Sequence, residues 1–381
     1  METERSVSRR LLGTGGTVVR YVAATAASER SHERASRTWV AAKIAALKHY
    51  EFGGEYDPHA RYGAPLYFVP NETLVGVEHV RALGIESESD LFGGVVPYPF
   101  IATKTITHPL VAAHAFAPHG WSDTFGTRVK DAVFPGYSAF TLADARLAAE
   151  RVLERGSARI KFGHGIGGVG QRVVSSAAEL ETVLDAVDPA VLSREGLVVE
   201  WNLEKVTTYS VGQVRVAKLV ASYCGTQRLT ANANGAQVYG GSDLVVVRGG
   251  YEALRELTLS PEARLAVDQA RKYDAAASEE FPGFVASRRN YDVAQGLDGE
   301  ARRCSGVLEQ SWRIGGASAA EIAALEVFRA DPEVHSVRAA TCEVYGEAKI
   351  PSRAIVQFSG HDEHTGPITK YTVVEPYEDS P

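Results

Sequence analysis

The amino-acid sequence predicts an α/β protein of two or three lobes, the first built on an open, mostly parallel sheet. Three observations point there. Strand-like and helix-like patterns alternate over roughly the first 120 residues, as βα units feeding a parallel sheet do. The chain has 381 residues and a mass of 41.0 kDa, which at about 150 residues per domain allows two or three lobes. Hydrophobic residues make up 45% and charged residues 23%, so a core can be buried. Wholesale disorder and a collagenous or low-complexity fibre are thereby excluded.

The elements follow in order. A first strand is expected around Thr17–Ala23. A competing twin-arginine export signal at Ser8-Arg9-Arg10-Leu11-Leu12-Gly13 is disfavoured, because Arg20 interrupts the apolar stretch and Glu2 and Glu4 sit in what should be a basic leader. The chain is expected to be cytoplasmic. Val40, Ile44 and Leu47 have the i, i+4, i+7 spacing of an amphipathic helix over about 31–48. Gly53-Gly54 reads as a loop, and Pro65-Leu-Tyr-Phe-Val-Pro70 as a buried strand bounded by prolines. A helix over Val75–Leu83 ends at Gly84, and Asp90–Pro97 is a strand entered through a glycine turn. The stretch Ala117-Pro-His-Gly-Trp121 marks a boundary, so a first domain of residues 1–122 is expected.

Thr141 suits the N-cap of a helix to about Glu154, since its hydroxyl can accept from first-turn amides, and Gly156 closes that helix. Arg159–Phe162 and Gln171–Val174 are strands flanking a glycine-rich loop, and Ser176–Leu184 is a helix. A lobe of residues 123–196 is expected to end there, and 197–381 to form the next. That last lobe holds a strand at Leu197–Trp201 and a long strand or hairpin at Tyr209–Ser222. It continues with a helix over Pro261–Glu280, paired strands at Asn290–Gln295 and Ser305–Glu309, and a helix over Ala317–Arg329.

Two segments carry chemistry. In Lys161-Phe-Gly163-His-Gly165-Ile-Gly167-Gly168-Val-Gly170, five glycines in eight residues let backbone approach a ligand, and successive amides can form an anion-binding concavity. Lys161, at the end of the preceding strand, could reach the same phosphates. The loop is no Walker A motif, for no Gly-Lys-Ser/Thr follows, and no dinucleotide fingerprint, for it leads into a strand. It fits a phosphate cradle or a plain hairpin. Further along, Glu309 and Ser311 share a face as i and i+2 of a strand, and Asp292 on the neighbouring strand can join them. Two carboxylates and a neutral oxygen suit Mg²⁺ against nucleotide phosphates. Arg313, placed on the same face by this alternation, could hold a phosphoryl group or a carboxylate by its planar fork. The same residues also read as solvated strand-end charges.

Other signals exclude function classes. A net charge of 40 − 47 = −7 and a pI of about 5.9 give no attraction for a phosphate backbone. The aromatic residues show no basic interleaving, so no nucleic-acid partner is expected. No apolar run reaches the roughly 18 residues of a membrane helix. Cys224, Cys304 and Cys342 are too scattered for a disulfide framework or a zinc site. His108, His114 and His119 fit no helix face, which favours a substrate-side or structural role over a metal. His361-Asp-Glu-His364 reads as a solvated C-terminal loop, and Ser138 lies in no nucleophile elbow.

The order of these pieces resembles the ATP-grasp superfamily: helix, strand with lysine, glycine loop, strand, the Val198-Val-Glu200-Trp-Asn-Leu203 hinge, Asp292, then Glu309-x-x-x-Arg313. Leu308-Glu-Gln-Ser-Trp-Arg313 is similar to that superfamily's Glu-x-Asn-x-Arg signature. From about Val75 to Lys370 the chain also resembles a bacterial family catalogued as Domain of Unknown Function 3182. That likeness rests on Asp90–Phe100, Lys104, Thr107-His-Pro-Leu110 and Leu308–Arg313.

The resemblance implies two α+β lobes that hold nucleotide between them, behind an N-terminal domain like those preceding ATP-grasp lobes. It implies that Lys130 and Lys161 contact phosphates beneath the Gly163–Gly170 loop, and that the Glu200–Leu203 hinge holds adenine. Asp292, Glu309 and Ser311 would bind magnesium, and Arg313 would stabilise the phosphoryl group in flight. Two departures stand out: Ser311 replaces the usual asparagine, and Thr207 or Thr208 stands where a ribose-binding acid is expected, unless Glu204 serves. The expected function is an ATP- and Mg²⁺-dependent ligase that activates a carboxylate as an acyl phosphate for attack by an amine or similar nucleophile. The alternatives are a non-catalytic nucleotide-binding protein on the same fold and a kinase-like transfer. Expected partners are a small-molecule carboxylate and a nucleophile, with self-association as a homodimer and no membrane. Lys161→Ala is expected to weaken nucleotide binding while leaving the fold intact.

Overall fold

The computed structural model describes residues 15–23, 30–163, 170–232, 235–347, 349–363 and 365–377. Its first lobe holds β1 (Thr17–Tyr21), α1 (Ser31–Lys48), β2 (Glu51–Glu55), β3 (Leu66–Pro70), β4 (Leu74–Val75), α2 (Val77–Ala82) and β5 (Gly94–Val96). Sheet order β2-β1-β3 is parallel throughout, as expected of βα units. α1 spans the residues its apolar spacing predicts and buries Val40, Ile44 and Leu47. Gly53-Gly54 departs from expectation: they lie within β2, where pairing to β1 overrides the local turn preference. Two 3₁₀ turns, Pro99–Ala102 and Lys104–Thr107, then lead to α3 (Asp123–Val129).

The small lobe contains β6 (Gly136–Ala139), α4 (Leu142–Leu153), β7 (Ala158–Phe162), β8 (Gln171–Val174), α5 (Ala177–Leu184), α6 (Pro189–Glu195) and β9 (Leu197–Trp201). Thr141 caps α4 as anticipated, its Oγ1 accepting from the Asp144 amide at 3.1 Å. Its sheet runs β6-β9-β7-β8, so β9 belongs to this lobe and not to the next. Conversely, α3 packs with the third lobe, where Phe125 and Val129 meet Tyr273 and Phe281 in one apolar cluster. The lobe borders read from sequence at 122 and 196 thus cut across elements that pack elsewhere.

The third lobe contains β10 (Glu204–Val216), β11 (Leu219–Ala231), β12 (Gln237–Arg248), α7 (Tyr251–Arg255), α8 (Pro261–Glu280), β13 (Val285–Ala286), β14 (Arg288–Leu297), β15 (Arg303–Ser311), α9 (Ser318–Ala330), β16 (Ser336–Tyr345), β17 (Ile355–Asp362) and β18 (Gly366–Pro376). Eight of these strands form an antiparallel sheet ordered β15-β14-β10-β11-β12-β16-β18-β17. Alternation along its strands sends Val214, Tyr223 and Val246 to a core shared with α1 and α9. Val211, Cys224 and Val247 face the opposite core beneath α8. β5 pairs with β13, tying the first lobe to the third. Among the described residues, no helix is long and apolar enough to cross a membrane.

The C-terminal strands correct another expectation. His361 and Asp362 end β17; Asp362 is buried and accepts from Ser31 Oγ at 3.0 Å. His364 lies outside the described residues. Against this seam, His32 is 2% exposed, and neither ring nitrogen has a hydrogen-bond partner. Burial, reinforced by Lys370, lowers its pKa to about 4. The folded chain therefore holds His32 neutral at pH values where the unfolded chain protonates it. The stability this contributes is complete above about pH 6.5 and is lost as pH falls through about 4. Urea midpoints at pH 7 and pH 5 should differ less for His32→Leu than for the native chain; equal differences would remove His32 as the source.

Candidate functional site

β7 and β9 lie side by side and antiparallel, with Lys161 opposite Val198 and Arg159 opposite Glu200. Ile160 and Val199 point to the helix-covered core, so Lys161 and Glu200 share the other face. There the two pair at 2.9 Å, 1% and 0% exposed. His108 Nε2 lies 3.0 Å from the same Glu200 oxygen. Burial lowers the pKa of His108, so its neutral ring donates to the carboxylate. Burial alone would raise the Glu200 carboxyl; Lys161 and the His108 bond outweigh it and hold the group below the usual carboxylate range. Lys161 Nζ also donates to the Leu308 carbonyl of β15 at 2.7 Å. One ammonium therefore bolts the small lobe to the edge of the eight-stranded sheet.

This arrangement overturns the expectation that Lys161 is dispensable for folding. Its ammonium lies inside the protein, and a phosphate could reach it only in competition with Glu200. The hinge also differs. Glu200 sits within a central strand of its sheet, and the amides of Trp201 and Asn202 donate to Pro135 and Ser157. Two donors that an adenine edge would need are thus already used. Leu203 is buried with Phe134 and Ala294.

Of the glycine loop, Gly163 and Gly170 are described, whereas Gly165, Gly167 and Gly168 lie outside the described residues. Gly170 has φ of +82°, a left-handed conformation that favours glycine, and its carbonyl accepts from Phe162 to close the base of the loop. Beside that base opens a cavity of about 820 Å³, lined by Phe162, Gly170, Val173, Val183 and Val187. Lys130 is exposed at the C-cap of α3.

The acidic pair forms as its strand parity requires: β14 and β15 place Asp292 directly opposite Glu309. Burial, and then the Glu309 charge, raise the pKa of Asp292. Asp292 Oδ1 accepts from Asn290 Nδ2 at 2.8 Å and from Ser210 Oγ at 3.2 Å. Glu309 is held by Lys104 Nζ at 2.5 Å. Lys104 opens the second 3₁₀ turn and His108 follows it, and the turn wedges between β15 and the small-lobe sheet; from the sequence, Lys104 carried only the family likeness and His108 only a substrate-side or structural role. Their signal was a basic pair in an otherwise uncharged run, Ile101-Ala-Thr-Lys104-Thr-Ile-Thr-His108.

Ser311 is drawn away from the pair: its Oγ accepts from Arg288 Nη1 at 3.3 Å. Arg313 lies past the end of β15, where strand alternation no longer applies. It pairs with Glu72 of the first lobe at 3.3 Å. Glu204 and Thr207 are exposed on β10. The donor set nevertheless fits a hard divalent cation. Two carboxylates converge, one raised in pKa by burial and the other's charge, and an ammonium already supplies positive charge to that other carboxylate.

Residues 20–372 match the family model described as protein of unknown function (DUF3182). No curated protein matches the sequence. Among solved structures, the chain is similar to D-alanyl-alanine synthetase A from Vibrio cholerae O1 biovar eltor, at 12% identity and TM-score 0.42, covering 79% of this chain and 89% of that one. It is similar to phosphoribosylamine–glycine ligase from Thermotoga maritima at 15% identity and TM-score 0.47, covering 95% and 93%. A RiPP-associated ATP-grasp ligase from Chryseobacterium gregarium, solved with ADP and a leader and core peptide, aligns at 8% identity and TM-score 0.36, covering 80% and 92%.

Proposed function

The chain belongs to the family described as protein of unknown function DUF3182, and we propose that it is an ATP- and Mg²⁺-dependent ligase of ATP-grasp type. The observation that carries this reading is the opposed Asp292–Glu309 pair lying against a buried lysine from a strand that enters a glycine-rich loop. In the proposed reaction, a substrate carboxylate oxygen attacks the γ-phosphorus of ATP, and the bond to the β-phosphate oxygen breaks to leave ADP. An amine or similar nucleophile then attacks the acyl carbon of the acyl phosphate, and inorganic phosphate departs. Such chemistry needs positioning and charge neutralisation and no nucleophilic side chain.

Each group has a part in this proposal. Asp292 and Glu309 would hold magnesium, with Glu309 exchanging its Lys104 partner for the ion. The magnesium would neutralise charge on the β- and γ-phosphates. Lys161 would turn from Glu200 to the phosphates under the Gly163–Gly170 loop, and adenine would rest against the segment ending at Leu203. Arg313, freed from Glu72, would clasp the phosphoryl group or the substrate carboxylate with its planar fork.

The test is product analysis with ATP, Mg²⁺ and candidate acids. With hydroxylamine as nucleophile, the expected result is ADP release together with a hydroxamate. A stable phosphorylated product instead would indicate a kinase, and nucleotide binding without turnover would indicate a binding protein; either would sink the ligase reading.

A further inference from the structure

We propose that Asn290 supplies the neutral oxygen ligand that Ser311 is too short to provide, its side-chain amide turning over when a divalent cation binds beside Asp292. The inference rests on the metal reading above and assigns a ligand from the strand opposite the one expected. β14 and β15 place Asn290 directly across from Ser311, and two residues from Asp292 on the same face. A side-chain oxygen lost from one strand is therefore available from its neighbour, in nearly the same place.

Hydrogen-bond accounting around Asn290 points to the turn. Asn290 is 6% exposed, and its Nδ2 donates to Asp292 Oδ1 at 2.8 Å. Its Oδ1 consequently faces the Tyr223 hydroxyl, 2.9 Å away. That same hydroxyl lies 2.6 Å from Glu321 Oε1. Glu321 takes bonds from Arg288 Nε and Nη2 at 2.8–3.1 Å, so as Arg288's carboxylate partner it can only accept. A tyrosine hydroxyl has one proton, and here two oxygens compete for it. With the amide as placed, one of the two contacts sets oxygen against oxygen.

Turning the amide by half a rotation satisfies both contacts of the Tyr223 hydroxyl. Nδ2 then donates to the Tyr223 oxygen, and Tyr223 donates to Glu321. Oδ1 comes to lie beside Asp292 Oδ1. Without a cation, two oxygens in that position repel, which is why the donor faces Asp292 instead. With a cation between them the repulsion disappears. Neighbouring oxygens of an octahedral Mg²⁺ shell lie about 2.9 Å apart, close to the 2.8 Å already separating Asn290 Nδ2 from Asp292 Oδ1. Ser311 Oγ meanwhile is bound to Arg288.

The experiment titrates Mn²⁺ by electron paramagnetic resonance at fixed ADP, with metal-free thermal melts to verify folding. Asn290→Ala should weaken Mn²⁺ binding by roughly 10- to 100-fold or more, since even an outer partner of a metal ligand costs that much. Adding Ser311→Asn to that variant should restore affinity to within a few-fold. Asn290→Asp keeps an oxygen but cannot donate to Asp292, so it should bind Mn²⁺ at least as tightly as the native chain. If Asn290 serves only to orient Asp292, the rescue fails and Asn290→Asp loses affinity, and the proposal falls. Native affinity in Asn290→Ala alongside lost affinity in Asp292→Asn would overturn it while leaving the carboxylate site standing. Native affinity in both would remove the metal site itself.

Discussion

Lys161→Ala is expected to lower stability by about 3–5 kcal/mol, the usual cost of breaking a buried ion pair on one side. The ammonium it removes is 1% exposed and neutralises Glu200, which is wholly buried. It also takes with it the bond to the Leu308 carbonyl, so the contact between the small-lobe sheet and β15 should loosen. Urea unfolding gives the number directly. A double variant, Lys161→Met with Glu200→Gln, removes both charges and should recover most of the loss, since the penalty lies in the charge left behind. The sign of the pH dependence is fixed by Glu200. Its carboxyl is held below the usual range in the folded chain, so the stability it contributes is present above the ordinary carboxylate pKa and is lost as pH falls through its depressed one. A Lys161→Ala protein as stable as the native chain would show that the pair contributes nothing.

Asp292→Asn and Glu309→Gln should each reduce ATP turnover by about a hundredfold to a thousandfold, the scale of losing one preorganised electrostatic contact in an active site. Both should also abolish the extra melting-temperature rise that Mg²⁺ adds to nucleotide. That rise corresponds to about 2.7 kcal/mol when the ligand is at 100 times its Kd. Without metal the two variants part company. Asp292→Asn relieves the burial and the repulsion that raise this carboxyl, so it should leave stability unchanged or increase it. Glu309→Gln removes the carboxylate on which Lys104 rests, and it should destabilise the chain. Thermal melts with and without Mg²⁺ at fixed nucleotide resolve both effects. If the full magnesium-dependent rise survives in both variants, the two carboxylates bind no metal.

Much of this was legible in the residues because it is local. The apolar spacing of Val40, Ile44 and Leu47 marked α1; Thr141 marked the start of α4; Pro261–Glu280 marked α8. The pairing of Asp292 with Glu309 followed from strand parity, because the two strands are close in the chain and the period of two leaves few registers. β2 was hidden because its two glycines read as a turn, and only the partner strand β1 makes them extended.

The helices, the flanking strands of the glycine loop and the convergence of two carboxylates follow from residues a few places apart, and so could be read along the chain. What those groups touch depends on how the lobes pack. Lys161 and His108 both meet Glu200, across 39 and 92 residues (200 − 161 and 200 − 108), and Lys104 reaches Glu309 across 205 (309 − 104). Arg313, two residues past the end of β15, pairs with Glu72 across 241 residues (313 − 72), and Ser311 is claimed by Arg288. The physical reason is common to all of these. A buried charge must find an opposite charge or a hydrogen bond wherever the packed lobes supply one, and sequence spacing does not encode which distant partner packing brings near.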